Sequence, residues 1–416
     1  MILFSSWRRR AAWIVLVLAL MAATIWTAAN VWAGMRLRST IERLGAAGYP
    51  LSLSKATGKP VPAVENAAPY IQAACLLYRA PTDTEPAWTK EPEVSVAELS
   101  PEETKQLEAW ITLNRESTDL LERAGTRRKC RFERDYSLGF STPLPEVTPA
   151  MGLSNVLRYR AELEARRGDF RSARKSVVMM FALADSFRTD PILIVQLVRW
   201  NILRRALSTA GICITADTTS EDLAEWESVL PAEEVFEGSI ERALQGEMAT
   251  VAEYLSPPSQ GGSVHGAISE ELLRLSGPIG WAARPLVRWD GARYLETMRG
   301  LIEACKLPYR ESLRQAAELE GAGKSSVGPL SSLLLPTLQG CIRATATARA
   351  DLAVTKAGVA AERTRATKGR YPEAVNGIDP FTGQPLLYER APGRISSVGG
   401  GTGERAPEWK LRRPEK

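Results

Sequence analysis

Histidine is all but absent. His265 is the only one in 416 residues, which excludes a zinc site built from several imidazoles and leaves any Ser-His-Asp arrangement a single candidate base. It lies in the run Pro257-Pro258-Ser259-Gln260-Gly261-Gly262-Ser263-Val264-His265-Gly266, where a solvated loop histidine is the simplest reading. Cysteine is sparse and odd in number, at positions 75, 130, 213, 305 and 341, with no Cys-x-x-Cys. In an oxidising compartment at most four could pair, in a connectivity the sequence does not define. Cys130 lies in Arg127-Arg128-Lys129-Cys130-Arg131, a setting that favours its thiolate, although a structural cysteine is the plainer reading. Strand patterning is nearly missing before residue 380, so the body reads as all-α.

A net charge is also missing once the N-terminus is set aside. The totals are 53 basic and 48 acidic residues, and residues 1–38 hold five arginines and no acid, leaving 48 of each for the rest. The sequence pI near 8.9 therefore reflects the N-terminal flanks and not a phosphate-binding field, which excludes a nucleic-acid partner.

What is present in abundance is apolar sequence near the start. Ala11 to Met35 carries no charge, with Arg8, Arg9 and Arg10 before it and Arg36 and Arg38 after. From Ala11 to Ala29, before Asn30, a helix spans about 28 Å, close to the roughly 30 Å of a hydrocarbon core. Trp7, Trp13, Trp26 and Trp32 fall near its ends, where indoles prefer the headgroup layer. The run exceeds the core of a cleaved signal peptide, although Thr27-Ala28-Ala29 and Val31-Trp32-Ala33 offer small residues for cleavage. The reading is a signal anchor in the cytoplasmic (inner) membrane: single-pass, N-terminus inside, the bulk periplasmic or extracytoplasmic.

Downstream, the expected organisation is a helix and Pro-rich linker over 36–98, a helical body over 99–256 and a loop over 257–266. A helical region over 267–335, a long helix over 336–370 and an irregular tail over 371–416 follow. Ser100-Pro101-Glu102-Glu103 is a helix start with its own capping box. Between Leu157 and Asp190 the pattern matches one tetratricopeptide-like helix pair, with Ala161 and Ala173 flanking Gly168-Asp169-Phe170; one unit is not an array. Met179-Met180-Phe181 reads as core, and the tryptophans beyond the membrane read as packing residues. Ser325 to Ile342 is uncharged, but Pro329, Pro336 and Gln339 make it unfit for a second span.

The motifs with a chemical precedent lack what that chemistry requires. Gly321-Ala322-Gly323-Lys324-Ser325-Ser326 resembles the end of a phosphate loop, yet Glu318 stands where its first glycine belongs and a helical pattern precedes it. The adjacent pairs Glu102-Glu103, Glu233-Glu234 and Glu270-Glu271 point about 100° apart on a helix and suit first turns. Glu133 and Asp135 are the least dismissible acids, because they share a loop with Cys130 and Tyr136. No catalytic, cofactor-binding or metal-ligating set is assigned.

The C-terminal stretch carries a resemblance. A long helix ends at Lys368-Gly369-Arg370-Tyr371-Pro372-Glu373. Asp379-Pro380-Phe381-Thr382-Gly383-Gln384-Pro385-Leu386-Leu387-Tyr388 and Ser396-Ser397-Val398-Gly399 follow. Over roughly the last seventy residues this resembles the tail of type II secretion pseudopilins, and also that of a broad group of bacterial membrane-anchored helical proteins. The run Glu65-Asn66-Ala67-Ala68-Pro69 is similar to that group too. The resemblance implies a shared fold fragment. Read from the residues alone, Pro372 ends the helix, Asp379-Pro380 and Gly383 build turns, and Leu386–Tyr388 pairs with Arg394–Val398 as a short hairpin. It does not imply pilin assembly, because Arg10-Ala11-Ala12-Trp13 is no prepilin cleavage site and the span holds no glutamate. Calcium ligation is doubtful as well, since Gly399-Gly400-Gly401-Thr402-Gly403 stands where those proteins carry aspartates. Three functions follow: a non-enzymatic interaction or scaffold protein of the envelope with a protein partner; an accessory component of a secretion or pilus-like system; or an envelope hydrolase using carboxylates such as Glu133 and Asp135.

Overall fold

The computed structural model describes residues 3–57, 59–81, 94–127, 129–255, 278–324, 328, 331, 338–391, 393–399 and 406–412. The chain is mostly helical. Helix α1 runs unbroken over Leu3–Ala46, because nothing between Ala11 and Met35 interrupts it and the amphipathic stretch beyond continues the same register. It is the one helix among the described residues long and apolar enough to cross a membrane. The short α2 (Leu53–Ala56) and α3 (Ala68–Leu77) follow, then α4 (Pro101–Leu113) and α5 (Arg115–Gly125). In α4 the Ser100 hydroxyl accepts from the Glu103 amide at 3.3 Å, and the Glu103 carboxylate accepts from the Ser100 amide at 2.8 Å. That reciprocal pair is the capping box written in the sequence.

The centre is a stack of α6 (Val147–Arg166), α7 (Phe170–Ser186) and α8 (Leu193–Cys213). Gly168 turns the chain between α6 and α7 at φ +80°, which only glycine adopts without strain. Asp169 then caps α7 by accepting from the Ser172 amide at 3.0 Å. Ala161 and Ala173 are fully buried where the two helices approach. Beyond α9 (Ser220–Val229) and α10 (Ser239–Leu255) comes α11 (Pro278–Ala304). Helix α12 (Tyr309–Lys324) and the long α13 (Leu338–Lys368) complete the body. Helix α13 crosses α8 and α9, and α10 lies on α11.

The helical region expected over 267–335 is not one continuous helix. Helix α11 starts at Pro278 and the chain breaks at Cys305–Pro308, where Pro308 denies the next turn its amide bond. The glycines and lysine at 321–324 lie inside α12, so no phosphate loop begins there. His265, Glu270-Glu271, Ser325 and Ser326 lie outside the described residues, as do most of the uncharged run before Leu338 and most of the Pro-rich linker.

The tail holds a three-stranded antiparallel sheet, one strand more than the expected pair: β1 (Leu387–Glu389), β2 (Arg394–Ser396) and β3 (Glu408–Lys410), in the order β1-β2-β3. Buried Asp379 ties its turns together. One carboxylate oxygen accepts from the Phe381 amide at 2.9 Å and the Ser397 hydroxyl at 3.0 Å, and the other from the Val398 amide at 2.8 Å. The Asp-Pro and Ser-x-Gly segments are thus two halves of one hydrogen-bonded knot. At the end of α13, buried Glu362 accepts from the Tyr371 hydroxyl at 3.0 Å and the Arg412 amide at 2.8 Å, fixing the Tyr-Pro corner.

Helix α1 finds its partner in α11, 250 residues away. Trp26 stacks on Trp281 with ring centroids 3.7 Å apart, and its indole N–H donates to the Ala282 carbonyl at 3.0 Å. Further along, Arg288 donates to the Asn30 side-chain oxygen at 3.1 Å, and Arg43 meets Glu296 at 2.7 Å. Both residue numbers rise together, so the two helices run parallel. The tryptophans were expected to serve packing; Trp200 and Trp226 do, whereas Trp281 remains half exposed beside α1.

Candidate functional site

The loop that carries Glu133 and Asp135 passes over a buried ionic cluster. Arg134, between the two acids, turns inward: its Nη2 lies 2.7 Å from Glu146 Oε1 and 3.0 Å from Asp190 Oδ2, and its Nε donates to Asp190 at 3.1 Å. All three side chains are almost wholly shielded. Asp190 is held from both sides, since its other oxygen accepts from the Ile192 amide at 3.0 Å. One guanidinium thus faces two carboxylates, and Glu146 Oε2 has no hydrogen-bond partner among the described residues. Burial pushes the Asp190 carboxyl up from the usual range, with Arg134 opposing.

Outside this cluster is a groove of about 380 Å³ lined by Arg131, Glu133, Asp135, Tyr136 and, from two other elements, Ser54 and Glu253. Glu133 and Asp135 therefore do share a cleft. Asp135 is engaged locally, accepting from the Ser137 amide at 3.0 Å and the Ser137 hydroxyl at 2.6 Å to start the 3-10 turn Tyr136–Ser141. Glu253 accepts from the Leu53 amide at 3.3 Å at the head of α2. Two of the three acids are helix caps, a common use of carboxylates at exposed helix starts.

Cys130 departs from the expectation drawn from its basic neighbours. Burial, with Asp190 and Glu146 nearby, pushes its thiol up to about 12, outweighing Arg134. The five cysteines are free thiols. Among the described residues no group of three or more His, Cys, Asp or Glu is placed to hold a metal ion.

A feature without a sequence signal lies between α8 and α10. An apolar groove of about 500 Å³ is lined by Leu53, Phe140, Leu144, Ile194 and Leu197, with Glu247 among them. Gly246 permits the close crossing: a β-carbon there would meet the Pro191 carbonyl oxygen at 1.9 Å. Glu247 accepts from the Leu193 amide and so caps α8, whose own N-cap is Ile192 and offers no side-chain oxygen. Desolvation raises its carboxyl from 4.5 to about 7. A raised acid destabilises the fold once ionised, so the penalty is complete above pH 7 and fades as pH falls towards 4.5. Glu247→Gln is therefore expected to stabilise the protein by about 2–3 kcal/mol at pH 8 and by under about 1 kcal/mol at pH 5. Urea unfolding of the detergent-solubilised chain at the two pH values checks it, and an equal effect at both would contradict it.

Among known proteins, no family model, no curated protein and no solved structure matches this chain.

Proposed function

We propose that this chain is a single-pass, membrane-anchored interaction or scaffold protein of the cell envelope, with its N-terminus in the cytoplasm and its helical body outside. The observation that carries the reading is the change of environment along α1. Its first half presents Ile14, Val15 and Leu18 with more than half of each side chain uncovered, while Ala33, Leu37 and Leu44 farther along are 5% exposed or less. A helix that is apolar and bare at one end and core-forming at the other suits a lipid-embedded tether continuous with its cargo domain. Cleavage after Ala29 would remove Trp26 from the contact with α11, and cleavage after Ala33 would remove Asn30 as well, which favours a retained anchor. The arginines before the span orient it inward. The α6–α7 pair is similar in plan to a tetratricopeptide unit and supports an interaction role for the body.

In-membrane crosslinking followed by affinity recovery of the full chain tests this. A reproducible envelope protein partner is the expected result, and repeated recovery of the chain alone would sink the reading. The accessory role in a secretion or pilus-like system is supported by the knot around Asp379, which unites the segments whose sequence resembles pseudopilin tails. It predicts secretion components among the recovered partners. The hydrolase reading draws on the shared groove of Glu133 and Asp135, and Asp135's capping role weighs against it.

A further inference from the structure

We propose that the first turns of α11, Trp281 to Leu286, form a second membrane contact, lying in the interfacial layer of the bilayer beside Trp26. The body would then be seated on the lipid surface and not hung from a single tether. This rests on reading α1 as a retained span.

The depth of α11 follows from its register on α1. Asn30 is the first strongly polar residue after the apolar run, and Trp26 lies one turn before it, about 6 Å deeper along the axis. Trp281 stacks directly on Trp26, and Ala282 accepts its indole N–H. Arg288 reaches Asn30 one to two turns later. Residues 281–288 of α11 therefore occupy the levels of residues 26–30 of α1. That is the zone where indoles with one apolar and one polar side settle.

The surface presented at that level suits lipid. Trp281 is 50% exposed and Leu286 46%. Two large apolar side chains left about half bare gain nothing from water, whereas next to a membrane span they extend its apolar surface. The charges agree. From residue 278 to 289 α11 has no acid and two arginines, and the first carboxylate is Asp290. Exposed Arg284 can extend its stem along the apolar layer and leave its guanidinium among lipid phosphates. The indole N–H of Trp26 and the amide of Asn30 are both answered by α11, which satisfies polar groups where water is scarce.

The full chain reconstituted in protein-free vesicles of phosphatidylethanolamine and phosphatidylglycerol provides the test. The vesicles carry a phospholipid with a diazirine near the carbonyl end of its acyl chain. After photolysis, tryptic peptides are mapped by mass spectrometry. The expected result is labelling of the peptide ending at Arg288 at a level comparable with residues 11–36, while the body peptides holding the exposed Val178 and Ile212 stay at background. The double variant Trp281→Glu with Leu286→Glu should lose the first label and keep the second. Absence of label on residues 11–36 would overturn the anchor itself. Label there without label on Trp281–Arg288 would overturn this proposal alone and leave the exposed face to a protein partner. Equal labelling of wild type and double variant would also overturn it.

Discussion

Replacing Arg134 by methionine is expected to destabilise the fold by about 3–5 kcal/mol, because it strands two buried carboxylates without a cation. Glu146 and Asp190 approach the same guanidinium nitrogen, and neither has an alternative basic partner within ion-pair distance among the described residues. The effect has a definite pH signature. Burial already raises the Asp190 carboxyl against the opposing pull of Arg134, so without Arg134 it holds its proton more tightly still in the folded chain than in the unfolded one. The penalty is thus greatest at neutral and alkaline pH and shrinks as pH falls towards ordinary carboxylate values. Denaturant unfolding at pH 8 and pH 5 reads both points. The triple change Arg134→Met, Glu146→Leu and Asp190→Leu should recover most of the loss, since apolar groups of similar volume can replace a buried ion cluster. A loss of under 1 kcal/mol at pH 8 would show that the cluster is hydrated and not buried.

Trp409→Ala should release the C-terminal sheet at a comparable cost, about 3–5 kcal/mol for a large buried aromatic. The indole enters a notch between α8 and α13 that two glycines keep open. A β-carbon at Gly358 would fall 2.2 Å from the ring and one at Gly211 3.2 Å away. Arg412 stacks over the same ring at 5.1 Å and bonds to the Gly211 carbonyl. The variant should therefore become sensitive to proteolysis across β1–β3 before the body unfolds, because the tail has lost its largest anchor. Gly358→Ala should reproduce that sensitivity by filling the notch. If both variants resist protease like the parent, the sheet is held by the Asp379 knot and not by Trp409.

These two sites differ in how visible they are in the amino-acid sequence. Trp409 stands among polar and charged residues, and nothing nearby marks Gly211 or Gly358 as its seat; the three meet only because α8 and α13 cross. Arg134 likewise lies between two acids that face water, while its partners are 12 and 56 residues away. Cys130 shows the same limit from the other side. Its sequence neighbours are basic, yet burial and two acids brought in by the fold prevail at its sulfur. Glu247 carries no signal at all, since a carboxylate on a helix becomes an apolar-groove acid only when Gly246 lets α8 approach.

By contrast, features that depend on a few consecutive residues were legible from the start. The apolar run of α1 reads directly, because twenty-five consecutive residues without a charge or a proline leave nothing to interrupt a helix. The Ser100 cap, the Gly168 turn and the Asp379-Pro380 corner read for the same reason: donor, acceptor and backbone geometry are supplied within three or four positions. The sequence by itself thus determined an uncharged helix of membrane-spanning length, a helical body and a turn-rich tail. The pairing of α1 with α11, the burial of Arg134 between Glu146 and Asp190, and the seating of Trp409 were decided only in three dimensions. Each depends on contacts between segments far apart in the chain, which no local periodicity encodes.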